Sequence, residues 1–378
     1  MTHFISISIL FVILSLGSCS ETHKLIKVKE IVFNAEFNPR LPSSGTFERN
    51  DSIYYYLTDV ATSKKVNVYN SAGKLIYVVD LHKASKILDG IDNINMINFD
   101  TLFGFNQAQN NLVLLDYQGN ILKRIDLDSL VDHRYIFRVS TKGTFYKDGR
   151  FYFGTGIPNN QYRNMGSMEN RKYNGRLMLD LPPLIEFSSL FTNEKPSFKL
   201  LLPGYFGNIL TENDFFVEAS YYSFTDESLI YHSNFNDSVT VINLKTYKKK
   251  LYQLSSNFSN IIVPPVPIDS LDRIPITNKL RCYGAINQIL YDSSQKLFYV
   301  LFLLDTPGNE EGQKSREISI AVYNQDFEKL MEEKWPLHKY ISFITINSEG
   351  LILIKYDEDN YIPKQTKKYT YEIYRYKN

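Results

Sequence analysis

The sequence predicts an all-β chain, a six-bladed β-propeller of four-stranded antiparallel blades whose N-terminal strand closes the last blade. Three observations carry this expectation. A strand–turn–strand unit recurs along the 378 residues, 28 Tyr and 25 Phe favour pleated, half-buried surfaces, and no long stretch shows a 3.6-residue apolar period. Helices are therefore expected to be short.

The chain starts with an apolar run from Phe4 that ends at Leu16-Gly17-Ser18-Cys19. Its length, about thirteen residues, is that of a signal-peptide core and too short for a helix crossing a bilayer of about 30 Å. The segment before Cys19 resembles a bacterial lipobox, which implies removal of residues 1–18 and acylation of the Cys19 thiol. Met1-Thr2-His3 departs from that pattern in carrying no Lys or Arg. Residues 19–24 are then a lipid-anchored tether, and 25–378 a single propeller domain. Ser20 after the cysteine resembles the pattern that permits sorting to the outer membrane. The expected partners are the membrane, through the N-terminal lipid, and a protein, peptide or glycan. Cys282 is left without a partner in the chain and reads as a small buried hydrophobe.

Leu25–Asn34, LIKVKEIVFN, alternates as a strand and has no hairpin partner of its own. Downstream, Val66–Leu81, VNVYNSAGKLIYVVDL, aligns without a gap under Leu112–Leu127, LVLLDYQGNILKRIDL, with matches at Gly73 and Gly119 and at the Asp-Leu pairs that end both. In each, apolar residues precede an anchor, Asn70 or Asp116, a glycine turn follows, and an alternating strand returns, as in a β-hairpin. Val239–Leu254 repeats the form with Asn243 as anchor and Thr246 in place of the glycine, and Ile320–Leu330 with Asn324. Weaker copies lie at Leu184–Pro203, anchored near Ser188, and at Tyr371–Asn378.

The anchors are about 46, 72, 55, 81 and 52 residues apart, spacings that suit one four-stranded blade each. Further strand pairs precede the hairpins, such as Gly284–Tyr291 with Lys296–Leu304 and Ile341–Ile346 with Leu351–Tyr356; in the third unit, Thr144–Tyr146 pairs with Arg150–Gly154. Seven blades would require dividing the 127 residues between Asp116 and Asn243 three ways, and paired sandwiches are the other alternative. Only one hairpin candidate lies between those anchors, which favours six. The last unit lacks a fourth strand, and Leu25–Asn34 would supply it. On blade rhythm and the lipobox together, the chain resembles the TolB-like six-bladed propellers, specifically the propeller lipoproteins of Gram-negative bacteria grouped only as a domain of unknown function. The resemblance covers nearly all of 25–378 and implies a fold and a cell-envelope location, but no activity.

With strands lettered A to D from the axis outward, A–B and C–D connections are tight turns on one face, while B–C and D–A connections emerge on the other. The long segments 155–183, 255–282, 305–317 and 357–369 all fall in the second class. Long connections are where binding residues concentrate. In Gly156–Gly175, Arg163 and Arg171 could pair with carboxylate or phosphate, and Tyr162 and Tyr173 could stack on a flat ligand. Four prolines stiffen Val263–Arg281, which places Arg273 near the mouth of the ring and Arg281 just before an innermost strand.

Charge is balanced, 42 basic against 41 acidic residues, so no field draws nucleic acid. The six histidines are scattered, and neither HxxxH nor CxxC nor G-x-S-x-G occurs, so no catalytic residue, resident metal or cofactor is assigned. The alternative is a metal-dependent hydrolase of lactonase type at the central channel. Asp132, Asn213, Glu218 and Asn287 lie near innermost strands and would have to converge for it.

Overall fold

The computed structural model describes residues 23–35, 43–59, 63–131, 136–138, 145–156, 184–201, 214–215, 220–233, 237–261, 266–267, 284–305, 317–335, 340–355 and 367–377. Cys19 and the segment before it lie outside this set.

The chain begins with β1 (Lys24–Ala35). Blade one follows as β2 (Ser43–Arg49), β3 (Ser52–Asp59), β4 (Lys65–Asn70) and β5 (Leu75–Asp80), and a six-residue helix, α1 (His82–Ile87), leads to the next blade. Blade two comprises β6 (Asn93–Asn98), β7 (Thr101–Asn106), β8 (Asn111–Leu115) and β9 (Ile121–Asp126). Blade three is built from β10 (Ile136–Arg138), β11 (Tyr146–Lys147), β12 (Arg150–Gly156), β13 (Leu184–Ser188) and β14 (Ser197–Leu200). A short strand, β15 (Asp214–Phe215), precedes blade four: β16 (Ser220–Phe224), β17 (Ser228–Ser233), β18 (Ser238–Asn243) and β19 (Lys249–Gln253). A second short strand, β20 (Val266–Pro267), precedes blade five: β21 (Ala285–Asp292), β22 (Leu297–Leu303), β23 (Ile318–Tyr323) and β24 (Lys329–Trp335). Blade six has β25 (Tyr340–Asn347), β26 (Gly350–Lys355) and β27 (Lys367–Lys377), and its fourth strand is β1.

Six blades and N-terminal closure are thus what the chain forms. Strand β1 runs antiparallel to β27 from Lys24↔Lys377 to Ala35↔Lys367, one residue beyond the expected strand at each end. Charge fixes its register: Lys29 pairs with Glu349 at 2.5 Å and Lys27 with Glu372 at 3.1 Å. One detail of blade three differs from expectation. Its inner strand is split, with β10 pairing against the far half of β12 and β11 against the near half. Thr144–Tyr146 alone is not that strand; the Lys147-Asp148-Gly149 turn joins only the short second piece to β12.

Among the described residues the core forms six apolar clusters, one per seam between adjacent blades. The first unites Tyr56, Val66 and Val68 of blade one with Met96, Leu102 and Val113 of blade two. At the next seam phenylalanine dominates, with Phe103 and Phe105 of blade two meeting Phe137, Phe151, Phe153 and Phe187 of blade three. The closing seam is tyrosine-rich. Phe33 of β1 lies 4.7 Å from the ring centre of Tyr371, 5.0 Å from Tyr69 and 5.3 Å from Tyr55, so β1 plugs blade six into blade one. Fully burying one such ring contributes about 2 kcal/mol, which explains where the abundant aromatics go. A ring of blades leaves each sheet face covered by a neighbour, and closure removes the two open faces that an incomplete ring would expose.

Four of the repeat anchors act alike, whereas Ser188 Oγ bonds Ser197 Oγ on the partner strand. Asn70 Oδ1 accepts from the amides of Ala72 and Lys74, both at 3.0 Å, and Asp116 Oδ1 accepts from Gln118 and Asn120 at 2.9 and 2.8 Å. Asn324 does the same with Asp326 and Glu328, and Asn243 with Lys245 and Thr246. Each side chain stands in for a backbone acceptor and fixes the turn. A left-handed residue then restores the strand: Gly73 (φ 76°), Gly119 (φ 77°), Phe327 (φ 60°) and Tyr247 (φ 56°). In blade four the turn is one residue longer, so Tyr247 and not Thr246 takes the glycine's conformational role.

Candidate functional site

The strand ends place the connections on two different faces. A–B and C–D turns such as 50–51, 71–74, 117–120 and 348–349 are short and on one side. On the other, the strand ends are joined across 157–183, 201–219, 254–284, 304–317 and 356–366. Two of these connections, which flank blade four, meet in an antiparallel ribbon of β15 and β20, with Asp214 opposite Pro267 and Phe215 opposite Val266. Tyr162, Arg163, Arg171, Tyr173, Arg273 and Arg281, expected on this face, all lie outside the described residues, as does Cys282. Asp132, Asn213 and Glu218 also lie outside, while Asn287 is buried on β21 at a bulge in its pairing with β22. Among the described residues no three His, Cys, Asp or Glu side chains gather as a metal site, and no helix is long and apolar enough to cross a membrane.

Two buried carboxylates serve the fold. Glu332 accepts from Ser256 and Ser319 hydroxyls at 2.6 Å each, from the Asn257 amide at 2.7 Å and from Lys329 at 3.1 Å, which pins the start of the 254–284 connection to blade five. Glu186 accepts from Tyr247 Oη at 2.9 Å and pairs with Arg150 at 3.3 Å, joining blades three and four. Carboxylates partnered in this way hold geometry.

A site that the sequence did not point to lies on the turn side of the seam between blades one and two. Here Tyr77, Val78 and Asp80 of β5 face Phe99 and Asp100 from the β6–β7 turn and Tyr117 and Gln118 from the β8–β9 turn, around a cleft of about 470 Å³. Local structure explains the arrangement. Asn98 Oδ1 accepts the Asp100 amide at 2.8 Å, fixing the first turn, and Asp116 fixes the second. A Cβ on Gly119 would collide with the carbonyl oxygen of Asp80, so glycine lets the Tyr117 turn close against β5. Tyr77 donates to the Phe99 carbonyl at 3.3 Å. Burial, then the negative charge of Asp100, pushes the Tyr77 hydroxyl up to about 12. Asp80 is held below the usual carboxylate range by the His82 amide first and then the His82 ring, both at 2.8 Å. Tyr117 is 52 % exposed and Val78 42 %. An aromatic at a hairpin tip, where a polar residue is the ordinary choice, is the one sequence signal that could have found this cleft.

No family model matches the chain, and no curated protein matches it. A crystal structure of a member of the DUF4221 family from Bacteroides vulgatus ATCC 8482 superposes with a TM-score of 0.71 at 16 % identity, covering 95 % of this chain and 99 % of that one. A protein from Bacteroides fragilis NCTC 9343, provisionally named an exported protein, gives 0.47 at 10 % identity over 94 % and 95 % of the two chains. A protein from Bacteroides uniformis ATCC 8492, provisionally named a 6-phosphogluconolactonase, gives 0.39 at 11 % identity over 85 % and 82 %. At such identities the first likeness speaks for the fold alone, and the other two are too loose to carry an argument. What these residues build is a closed six-bladed propeller with the fold of a DUF4221 member.

Proposed function

We propose that this chain is a lipid-anchored binding propeller of the cell envelope, which holds a protein, peptide or glycan partner on the face that carries its long connections. One observation carries the reading: the strand topology collects six connections of more than ten residues on one side of a closed, rigid ring, 81–92 among them, and leaves connections of eight residues or fewer on the other. A ring sealed at six seams can hold such segments in fixed relation, which reduces the ordering cost of binding. The Cys19 lipid would supply the tether, since each buried methylene contributes about 0.8 kcal/mol and more than one acyl chain holds a protein stably at a bilayer.

Photo-crosslinking in intact cells tests the face. A reactive side chain placed at Arg163 or Arg281 is expected to give a discrete adduct, and one placed at Ala72 on the turn side is expected to give none. Equal adducts from both faces, or none from either, would remove the proposal. Anchoring is tested separately: Cys19→Ala is expected to move the protein from the membrane to the soluble fraction, and unchanged fractionation would contradict the tether.

A further inference from the structure

We propose that the cleft between blades one and two is a second binding site, on the side away from the long connections, and that it takes a cationic group bearing N–H donors, the guanidinium of arginine or the ammonium of lysine. Its lining combines the rings of Tyr77, Phe99 and Tyr117 with the carboxylates of Asp80 and Asp100, and contains no Lys or Arg. Ring faces attract cations, and a planar guanidinium can stack on tyrosine while its edge donates to a carboxylate.

Asp100 is the main anchor. Among the described residues no cation pairs with its side chain, and its charge is felt by the Tyr77 hydroxyl. Asp80 is partly committed, since one carboxylate oxygen already accepts from His82 twice. Phe99 shows on the molecule itself that these rings accept cations: the Arg49 guanidinium stands 5.4 Å from its centre. Both tyrosine hydroxyls have partners, Tyr77 donating to Phe99 and Tyr117 accepting from Gln118 at 3.3 Å. The acceptors still open to a ligand are therefore chiefly carboxylate oxygens, which suit a donor-rich cation better than a neutral ligand. A volume of about 470 Å³ holds one such side chain with its flanking backbone.

The test is titration calorimetry on the soluble 20–378 chain at low salt, with N-acetyl-arginine methylamide, its lysine counterpart, its neutral citrulline isostere, choline, and maltose. The arginine or lysine probe is expected to bind, citrulline about tenfold more weakly for want of charge, and choline more weakly for want of N–H donors. Asp100→Asn is expected to weaken arginine about fivefold and Asp80→Asn less, with both folds checked by circular dichroism. Equal binding of arginine and citrulline, choline matching arginine, maltose binding in their place, no binding at all, or an Asp100→Asn variant that binds like wild type would each overturn the proposal. None of these outcomes bears on the opposite face, whose test is independent.

Discussion

Blades one and two meet their upstream neighbours through the same kind of hairpin as blades four and five, yet the two pairs seal the seam differently. In the first pair the left-handed residue is glycine, and the turn lies directly on backbone: a Cβ on Gly73 would strike the Val32 carbonyl of β1, and one on Gly119 the Asp80 carbonyl of β5. In the second pair the same conformation is taken by Tyr247 and Phe327. For residues with a Cβ this costs about 1–2 kcal/mol. The cost is offset by what the side chain reaches. Phe327 stacks on Phe298 at 4.4 Å and on Tyr252 of the upstream blade at 4.5 Å, and Tyr247 bonds Glu186 and Arg150 of blade three. Blade three takes a related course, with Phe191 of its β13–β14 turn packed on Phe103 of blade two at 5.2 Å. Glycine thus permits close approach, whereas an aromatic ring fills a wider gap.

Substitutions at these positions can break the comparison. The largest loss is expected for Phe327→Ala, about 3–4 kcal/mol in urea unfolding, because a buried ring leaves and the backbone strain stays. A loss below about 1 kcal/mol would show that the ring does not seal the seam. Gly119→Ala comes next, at about 2–3 kcal/mol, since a methyl group meets both the left-handed conformation and the Asp80 carbonyl. The same change is expected to distort the cleft. Tyr247→Phe should cost about 2 kcal/mol, the worth of the two hydrogen bonds its hydroxyl makes, one to the Glu186 carboxylate and one from the Arg150 guanidinium, which keep each other as partners. The finest discriminator is Phe327→Gly, expected to be about 1 kcal/mol less damaging than Phe327→Ala, the reverse of the usual order in sheet proteins. If alanine is the better tolerated, the left-handed assignment at this turn is wrong.

Legibility in the sequence followed the same division. Gly73 and Gly119 announced their turns, because only glycine adopts that conformation freely, and the Asn and Asp anchors announced the hairpins. Phe327 and Tyr247 gave no such notice: their strain is offset by contacts with another blade, which no local pattern records. The unpaired Leu25–Asn34 alternation led correctly to ring closure, since a lone amphipathic strand must bury its apolar edge somewhere. The split inner strand of blade three was not visible, because Ile136–Arg138 is too short to show alternation. Nor was the cleft. Leu75–Asp80 reads as an ordinary strand, and only the rotation between blades brings Tyr77 to Phe99 and Tyr117. The loop-face candidates Arg163 and Arg281 lie outside the described residues, and chain order gives only the connection each belongs to.

Every one of these seams depends on a complete ring, and the ring is complete only if β1 is the fourth strand of blade six. Hydrogen exchange on the 20–378 chain tests this directly. Amides of 24–35 are predicted to exchange as slowly as those of β26, which pairs on the other side of β27. Exchange of 24–35 at the rate of a free peptide, with β26 still protected, would contradict the closed six-bladed account.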